Sequence, residues 1–507
     1  MSVNTSQNFQ AVNPATAEAF GASYPEFTEQ EVHDAIARAH SMVTSFANIG
    51  LQKRSQLLKA IAAEIEKVRP RLVEIAHLET GLPEGRINGE ISRTTVQLEL
   101  FAEMIRSGEH LNAIIDLADP DYKPVARPDI RKVNLPIGLV AVFGASNFPF
   151  AYSVIGGDSA AALAAGCPVV VKAHPSHPGT SEITFGAVQS ALASEGLSSD
   201  IFTMVQGRSP EITHWIALAP EVTAIGFTGS AMVGKLLVDL SHSRPVPIPV
   251  FAEMGSLNPI FVTAAALAER GTALGELLFD SATLGSGQFC TKPGLIFLGA
   301  DSHEFIDAMR TKMNAVTAQP LLNKGIAERY NEAIAELTKI AGVETIVGNL
   351  PHVGFMVQPT IFVIDFDTYK KHPEFMHEHF GPTTVIVKCQ DSYFDSIINE
   401  SEGHLTATLH LGSQESRPDL VQRLSKIAGR LIFNGAPTGV SVTPAQNHGG
   451  PWPSSSTHTT SVGADAIYRF LRPVSFQGFP DELLPPALAR TNPEGIVRTT
   501  NGVRGLD

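Results

Sequence analysis

"NLPIGLVAVFGASNFPFAYSVIGG", residues 134 to 157, carries no charged side chain, and its length would reach across a bilayer. Pro136, Gly138, Gly144, Asn147 and Pro149 interrupt it too often for one spanning helix. The stretch reads instead as a buried strand over "GLVAVFG" (138–144), a loop, and the start of a helix. That reading makes the chain an α/β protein rather than a membrane protein. Similar Val/Ile/Phe-rich runs bounded by Gly or Pro follow: "PVVVKA" (168–173), "IFTMVQG" (201–207), "VTAIGFTG" (222–229) and "IPVFAEMG" (248–255). Between them lie "SAAALAAG", "SEITFGAVQSALASEG" and "SAMVGKLLVDLS", which fit crossover helices. The alternation implies a doubly wound parallel sheet covered on both faces.

A second α/β set begins at "LNPIFVT" (257–263) and runs through "GLIFLGA" (294–300), "TTVIVK" (383–388) and "GRLIFNG" (429–435). The first hundred residues read as helical, with Thr28 and Glu31 as a capping box. Two pieces fit neither set: "YKPVARPDIRKVNLPIG" (122–138), read as an exposed hairpin, and "RFLRPVSFQGFP" (469–480), a terminal strand. Such elements suit pairing with another subunit, so a homodimer or homotetramer is expected.

The 507 residues predict two or three domains. A net charge of −14, from 37 Lys+Arg against 51 Asp+Glu, argues against nucleic acid or an anionic membrane as partner. Three cysteines make no disulfide framework, and the N-terminus lacks a secretory pattern, so a cytoplasmic setting is expected.

Candidate chemistry gathers at strand ends. "FTGSAMVG" (227–234) is a strand-to-helix turn, in which Phe227 and Thr228 lead into Gly229, and Ser230 and Gly234 open the helix; such a turn suits a phosphate. Lys172 ends a strand in "VVVKAHPSHPGTSE", followed by Pro175 and Ser176, where open α/β sheets bind ligands. Cys290 lies in "GSGQFCTKPG" (285–294), where it is either a buried filler or a nucleophile. Glu253 in "FAEMGSLNP" is either a paired structural charge or a carboxylate with a raised pKa suited to proton transfer. Asn147, after an apolar strand, has an amide able to donate to a developing oxyanion. No histidine and carboxylate pair has metal spacing along the chain, so no metal is expected.

Together these residues resemble the aldehyde dehydrogenase superfamily over nearly the whole chain. The family's G-Q-x-C-T block is matched by Gly287, Gln288, Cys290 and Thr291, and its N-F-P block by Asn147, Phe148 and Pro149. Its E-x-G block is matched by Glu253 and Gly255, and E-x-F-G-P by Glu378, Phe380, Gly381 and Pro382. The resemblance implies that Cys290 attacks an aldehyde, that Asn147 and the Cys290 N–H hold the oxyanion, and that Glu253 is the general base. It also implies that Lys172 bonds the adenosine ribose, Glu378 the nicotinamide ribose and Ser230 the pyrophosphate, with Phe380 in the same cleft. In domain terms it implies a cofactor-binding unit at 1–120 and 139–255, with 447–468 packing back onto it. A catalytic unit would span 256–446, and an oligomerisation hairpin and tail would span 121–138 and 469–507.

Departures bear on cofactor and substrate. Many NAD-preferring relatives carry a glutamate three residues after the lysine; Pro175 stands here, and Arg208 in "VQGRSPE" offers a guanidinium to a 2′-phosphate. NADP is the expected cofactor, with NAD as an alternative. Several blocks resemble the branch of 2,5-dioxovalerate (α-ketoglutaric semialdehyde) dehydrogenases and an NADP-dependent fatty aldehyde dehydrogenase. Arg93 and Gln97 on one face of "RINGEISRTTVQLELFAEMI" (86–105) suit a substrate carboxylate, unless Arg93 merely pairs with Glu90. Phe148 and Tyr152 suit a tunnel wall or ordinary core, and His448 in "QNHGGPWP" borders the site or is structural. The small-molecule substrate is expected to be an acidic semialdehyde, with a medium- or long-chain aldehyde next. A CoA-acylating enzyme would share the thioester, but Glu253, which serves attack by water, counts against it.

Overall fold

The charge-free run folds as the strand Leu139–Phe143, all of it buried, then a loop and the helix Gly157–Ala165. The protein is described by a computed structural model over residues 8–317, 319–351 and 353–506. Five parallel strands lie in the order Phe202–Val205, Val169–Lys172, Leu139–Phe143, Val222–Thr228, Val250–Glu253. The chain steps outward twice, then returns to the other side of Leu139–Phe143. Loops leaving the two strands at that reversal diverge, and the crevice between them is where such sheets bind ligands.

Strand alternation explains the two layers of core. Val140 and Val142 face Leu163 of the buried helix and the long helices Leu51–Thr80 and Glu84–Arg106. Leu139 and Ala141 face the helices Glu29–Ser41, Glu211–Leu218 and Ala231–Ser243 through Ile36, Ile212 and Leu237. All nine residues of Gly157–Ala165 are buried, because an Ala-rich helix lets its neighbours approach closely. The capping box forms as read: Glu31 N–H donates to Thr28 Oγ1, and Thr28 N–H to Glu31 Oε2.

A seven-stranded sheet forms the second unit, ordered Glu344–Val347, Thr360–Asp365, Thr383–Lys388, Leu295–Leu298, Ile260–Val262, His404–His410, Ala428–Phe433. Only the edge strand Glu344–Val347 runs antiparallel. The segment carrying His448 returns to the first sheet, where Met254 N–H donates to Ser454 O at 2.8 Å.

Three readings change. A β-hairpin, Phe9–Asn13 with Glu18–Tyr24, precedes the helices of the first hundred residues. The hairpin expected at 122–138 is not one, since Ile130–Pro136 pairs with Ile114–Asp116 on one side and Leu471–Gln477 on the other. Ile114–Asp116 therefore belongs to a small five-stranded sheet rather than closing the first unit, and Arg498–Thr500 and Val503–Gly505 complete it. Alternation along 130–136 was visible in the sequence; its partners, hundreds of residues away in one case, were not. Among the described residues no helix is long and apolar enough to cross a membrane.

Phe470, fully buried and edge-on to Phe251 with ring centroids 5.6 Å apart, joins the terminal strand to the first sheet. Phe470→Ala is expected to cost about 3–5 kcal/mol, read as a lowered urea midpoint of unfolding.

Candidate active site

The helix Ala264–Thr283 ends in a turn where Gly285, Ser286 and Gly287 have φ of 57°, 53° and 66°. A Cβ on Gly287 would meet Gly381 O at 2.1 Å, so the block needs glycine there. Gln288 then locks the loop: its Nε2 donates to Pro320 O at 3.3 Å, and its Oε1 accepts the Leu322 N–H at 2.9 Å. Asn258 Nδ2 donates to Cys290 O at 2.8 Å and Lys292 O at 2.9 Å. The half-buried thiol thus sits on a backbone held from two sides.

Cys290 stands where two cavities meet. A cleft of about 570 Å³ runs along the carboxyl edge of the five-stranded sheet, lined by Asn147, Lys172, Pro175, Arg208, Phe227, Thr228, Gly229, Ser230, Glu253, Glu378 and Phe380. Ser230 caps the helix Ala231–Ser243, accepting from Val233 N–H, and Gly229 lies so close to the Phe227 ring that a Cβ would be 2.5 Å away. This cradle of small residues and free helix N–H groups fits a dinucleotide. Two expected members lie outside the lining. Ser176 Oγ accepts from Asn323 Nδ2 at 3.0 Å, and Gly234 is pressed against Met254, whose Sδ a Cβ would approach to 2.5 Å.

Lys172 donates to Gly207 O at 2.7 Å, and burial pulls its pKa down to about 8, against the opposing charge of Glu26. Arg208 is half-exposed over the Phe9 ring, and its Nε is 3.7 Å from Glu26 Oε2. Glu378 lies against Gly255, leaving no room for a Cβ; burial raises its pKa, and the charge of Lys292 opposes the rise. Lys292 went unnoticed in the sequence; its ammonium donates to His379 O and Thr383 O at 2.9 and 2.7 Å, holding that loop.

A second cavity of about 200 Å³ lies beyond Cys290 and is lined by Arg86, Glu90, Arg93, Phe148, Tyr152 and Phe289. Arg93 does not pair simply with Glu90 on a solvated helix. Glu90 accepts the N–H groups of Phe150 and Ala151 at 2.8 and 3.0 Å, while Arg93 Nη2 donates to Tyr152 OH at 3.0 Å. Gln97 is one turn too far along, and lies in a neighbouring hollow where its Oε1 accepts from Gly463 N–H. Arg86, two turns before Arg93, was missed; it lies over the Phe289 ring at 4.5 Å and donates to Asn147 O at 2.8 Å. Arg86 Nη1 and Arg93 Nε are buried with no hydrogen-bond partner.

Two side chains, His448 and Glu253, converge on the sulfur, and Ser461 holds the second. His448 Nε2 lies 3.4 Å from Cys290 Sγ and 2.8 Å from Glu253 Oε1, and Ser461 Oγ donates to Glu253 Oε2. Burial by itself would raise the Glu253 pKa, but His448, Ser461 and Cys290 together hold it below the usual carboxylate range. The raised pKa considered for Glu253 is therefore replaced by a paired, ionised carboxylate. Burial and then the Glu253 charge push the Cys290 thiol well up, with Arg93 opposing. Asn147 Nδ2 donates to Gln288 O at 3.1 Å and points along the same cleft.

The Aldehyde dehydrogenase family profile matches residues 2–474. Alpha-ketoglutaric semialdehyde dehydrogenase 2 of Azospirillum brasilense is 42% identical, covering 96% of this chain and 94% of its own. Alpha-ketoglutaric semialdehyde dehydrogenase of Acinetobacter baylyi is 40% identical, covering 97% and 95%. Among solved structures, glyceraldehyde-3-phosphate dehydrogenase GapN of Methanocaldococcus jannaschii, complexed with NADP, shares the fold with a TM-score of 0.79 at 19% identity, covering 94% of this chain and 99% of that one. The chain belongs to the aldehyde dehydrogenase family and is an NAD(P)-dependent oxidoreductase of the aldehyde group.

Only the thiolate is alkylated readily, and its pKa lies above the ordinary 9.0. Iodoacetamide labelling of Cys290 in the cofactor-free protein is therefore expected to be still accelerating at pH 9, measured as a rate by mass spectrometry; a plateau below pH 8 would refute the environment described.

Proposed function

We propose that this protein oxidises 2,5-dioxovalerate to 2-oxoglutarate, with NADP preferred over NAD. The observation that carries the substrate is the cationic pocket at Cys290: Arg86 and Arg93 against one carboxylate, Glu90, leave one positive charge for a monoanionic substrate. The names of the two relatives at 40–42% identity support it. Phe148, Tyr152 and Phe289 give the same cavity an apolar wall, but an alkyl chain would leave the buried, unpartnered Arg86 Nη1 and Arg93 Nε unsatisfied, whereas a carboxylate would accept from them.

The residues then divide the work. Cys290 Sγ adds to the aldehyde carbon, and its proton passes to His448 or Glu253, both within reach. Asn147, whose amide is released from Gln288 O, and the Cys290 N–H hold the oxyanion. Arg93 and Arg86 hold the distal carboxylate, so that the aldehyde is presented to the sulfur. The cleft lined by Lys172, Ser230 and Glu378 would hold the nicotinamide cofactor, which would supply the hydride acceptor for that carbon. Glu253 deprotonates the water that hydrolyses the Cys290 thioester, restoring the thiol and releasing the acid. Retention of this base sets the protein apart from a CoA-dependent acyltransferase.

The NADP preference rests on Pro175 and Arg208 lining the cleft near Lys172. Glu26 competes for Arg208, so a 2′-phosphate must outbid a carboxylate 3.7 Å away. Leu471–Gln477 is an edge strand of the small sheet, which supports a homodimer or homotetramer built there. The three unpaired cysteines support a cytoplasmic setting.

Under saturating NADP, kcat/KM for 2,5-dioxovalerate is expected to exceed that for a long-chain aldehyde by ~100-fold, about 2.7 kcal/mol. Arg93→Ala should erase most of that advantage and spare the alkyl substrate; an alkyl preference in the unmodified enzyme would overturn the assignment. Arg208→Ala should lower kcat/KM for NADP roughly 10- to 150-fold, the 1.5–3 kcal/mol of a charge-assisted hydrogen bond, with little change for NAD. Equal losses with both cofactors would remove Arg208 from 2′-phosphate recognition.

A further inference from the structure

The sequence offers no metal-binding spacing, yet the fold brings Glu253, Cys290 and His448 together with one donor atom from each within 4.8 Å of the others. We infer that Cys290 Sγ, His448 Nε2 and Glu253 Oε1 form a divalent-cation site, suited to Zn²⁺, whose occupation reversibly silences the enzyme. The inference does not depend on which aldehyde is the substrate.

The donor set is the first argument. One sulfur, one imidazole nitrogen and one carboxylate oxygen are the ligand types zinc takes, and three protein ligands plus water complete a tetrahedron. Spacing is the second. Tetrahedral zinc with bonds of about 2.3 Å to sulfur and 2.0–2.1 Å to nitrogen or oxygen places donor atoms about 3.3–3.6 Å apart. The Sγ to Nε2 distance of 3.4 Å already meets this, and the 2.8 Å between Nε2 and Oε1 needs an opening of only about 0.5 Å. Orientation is the third, because Ser461 fixes the far oxygen of Glu253 and so turns Oε1 toward the histidine.

Charge is the fourth argument. His448 and Glu253 are 1% and 4% exposed, in surroundings where an uncompensated ion is costly. A thiolate and a carboxylate cancel the charge of a divalent cation, so the complex is neutral. The ion replaces the thiol proton, which leaves to solvent, and no electron moves. Both cavities reach Cys290, which gives the ion an entry path. A sulfur bound to zinc shares electron density with the cation and is a weaker nucleophile than the free thiolate, and Glu253 is withdrawn from water activation at the same time.

The test uses the full chain and Zn²⁺ alone, without aldehyde. Equilibrium dialysis with metal analysis is expected to give one ion per chain, with dehydrogenase activity falling in step and returning on addition of EDTA. Co²⁺ in place of zinc should produce a thiolate-to-cobalt charge-transfer absorption that is absent in Cys290→Ser. His448→Asn should weaken binding at least ~10-fold, since even an indirect partner of a metal ligand is worth that much. Cys389→Ser, whose sulfur instead bonds Leu298 O, should change neither binding nor activity. Retained cofactor binding verifies that the variants are folded, and wild-type protein alkylated at Cys290 provides a folded chain that should also lose the site. Zinc bound with the same affinity after both substitutions, or no stoichiometric binding by the wild type, overturns the inference. Zinc binding by a preparation inactive toward every aldehyde would uphold the site and fail the dehydrogenase reading.

Discussion

Asn258 is the knot on which the catalytic geometry depends. It is fully buried with φ of 49°, and its amide donates to Ser256 O, Cys290 O and Lys292 O while its carbonyl oxygen accepts from both Thr406 N–H and Thr406 Oγ1. One side chain thereby fastens the segment after Glu253, the loop of Cys290 and the strand His404–His410. Each such bond has no water to replace it, and a buried partner left unpaired costs about 1–3 kcal/mol. The position of the sulfur is thus decided by a neutral amide that takes no part in the chemistry.

A second dependence runs through the helix Glu84–Arg106. Glu90 accepts two backbone N–H groups of the turn at Phe150 and Ala151, and Arg86 donates to the carbonyl of Asn147. The helix that carries the guanidiniums therefore also sets the loop that carries the Asn147 amide. In the function proposed above, binding the distal end of a substrate and activating its carbonyl would be one mechanical unit, which is how remote contacts serve a reacting centre. Glu90 is a buried carboxylate beside two cations, so removing it leaves both guanidiniums uncompensated, whereas removing one guanidinium leaves a neutral pair.

At the sulfur, burial first and then the charge of Glu253 push the Cys290 thiol pKa up. Glu253 is ionised through its partners, and its negative charge opposes formation of a thiolate beside it. The cost is relieved when the thiol proton has somewhere to go, and His448 lies between the two groups. His448 also completes the ligand set of the cation site proposed above, so proton transfer and a bound cation would compete for the same three side chains.

Much of the site was legible in the sequence because its backbone demands are local. Gly287, Gly229 and Gly255 stand where a Cβ would strike a neighbour, and the strands Leu139–Phe143 and Val250–Glu253 are runs of apolar residues that end at Gly or Met-Gly. The hairpin of residues 9–24 and the three-residue strands of the small sheet were not legible, since short strands are defined by distant partners rather than by their own pattern. Gln97 shows the limit within a helix: spacing put it on the face of Arg93, and the turn of chain at Gly463 took it into another hollow. The sequence by itself determined the class of fold, because periodicity and glycine placement are written in neighbouring residues, and the block around Cys290 by its resemblance to the family; its local residues alone left the cysteine open between filler and nucleophile. Only the tertiary structure decided that His448 lies between Cys290 and Glu253, that Arg86 joins Arg93, and that Glu26 holds Arg208, because each pairing spans from a helical turn to hundreds of residues and is set by packing.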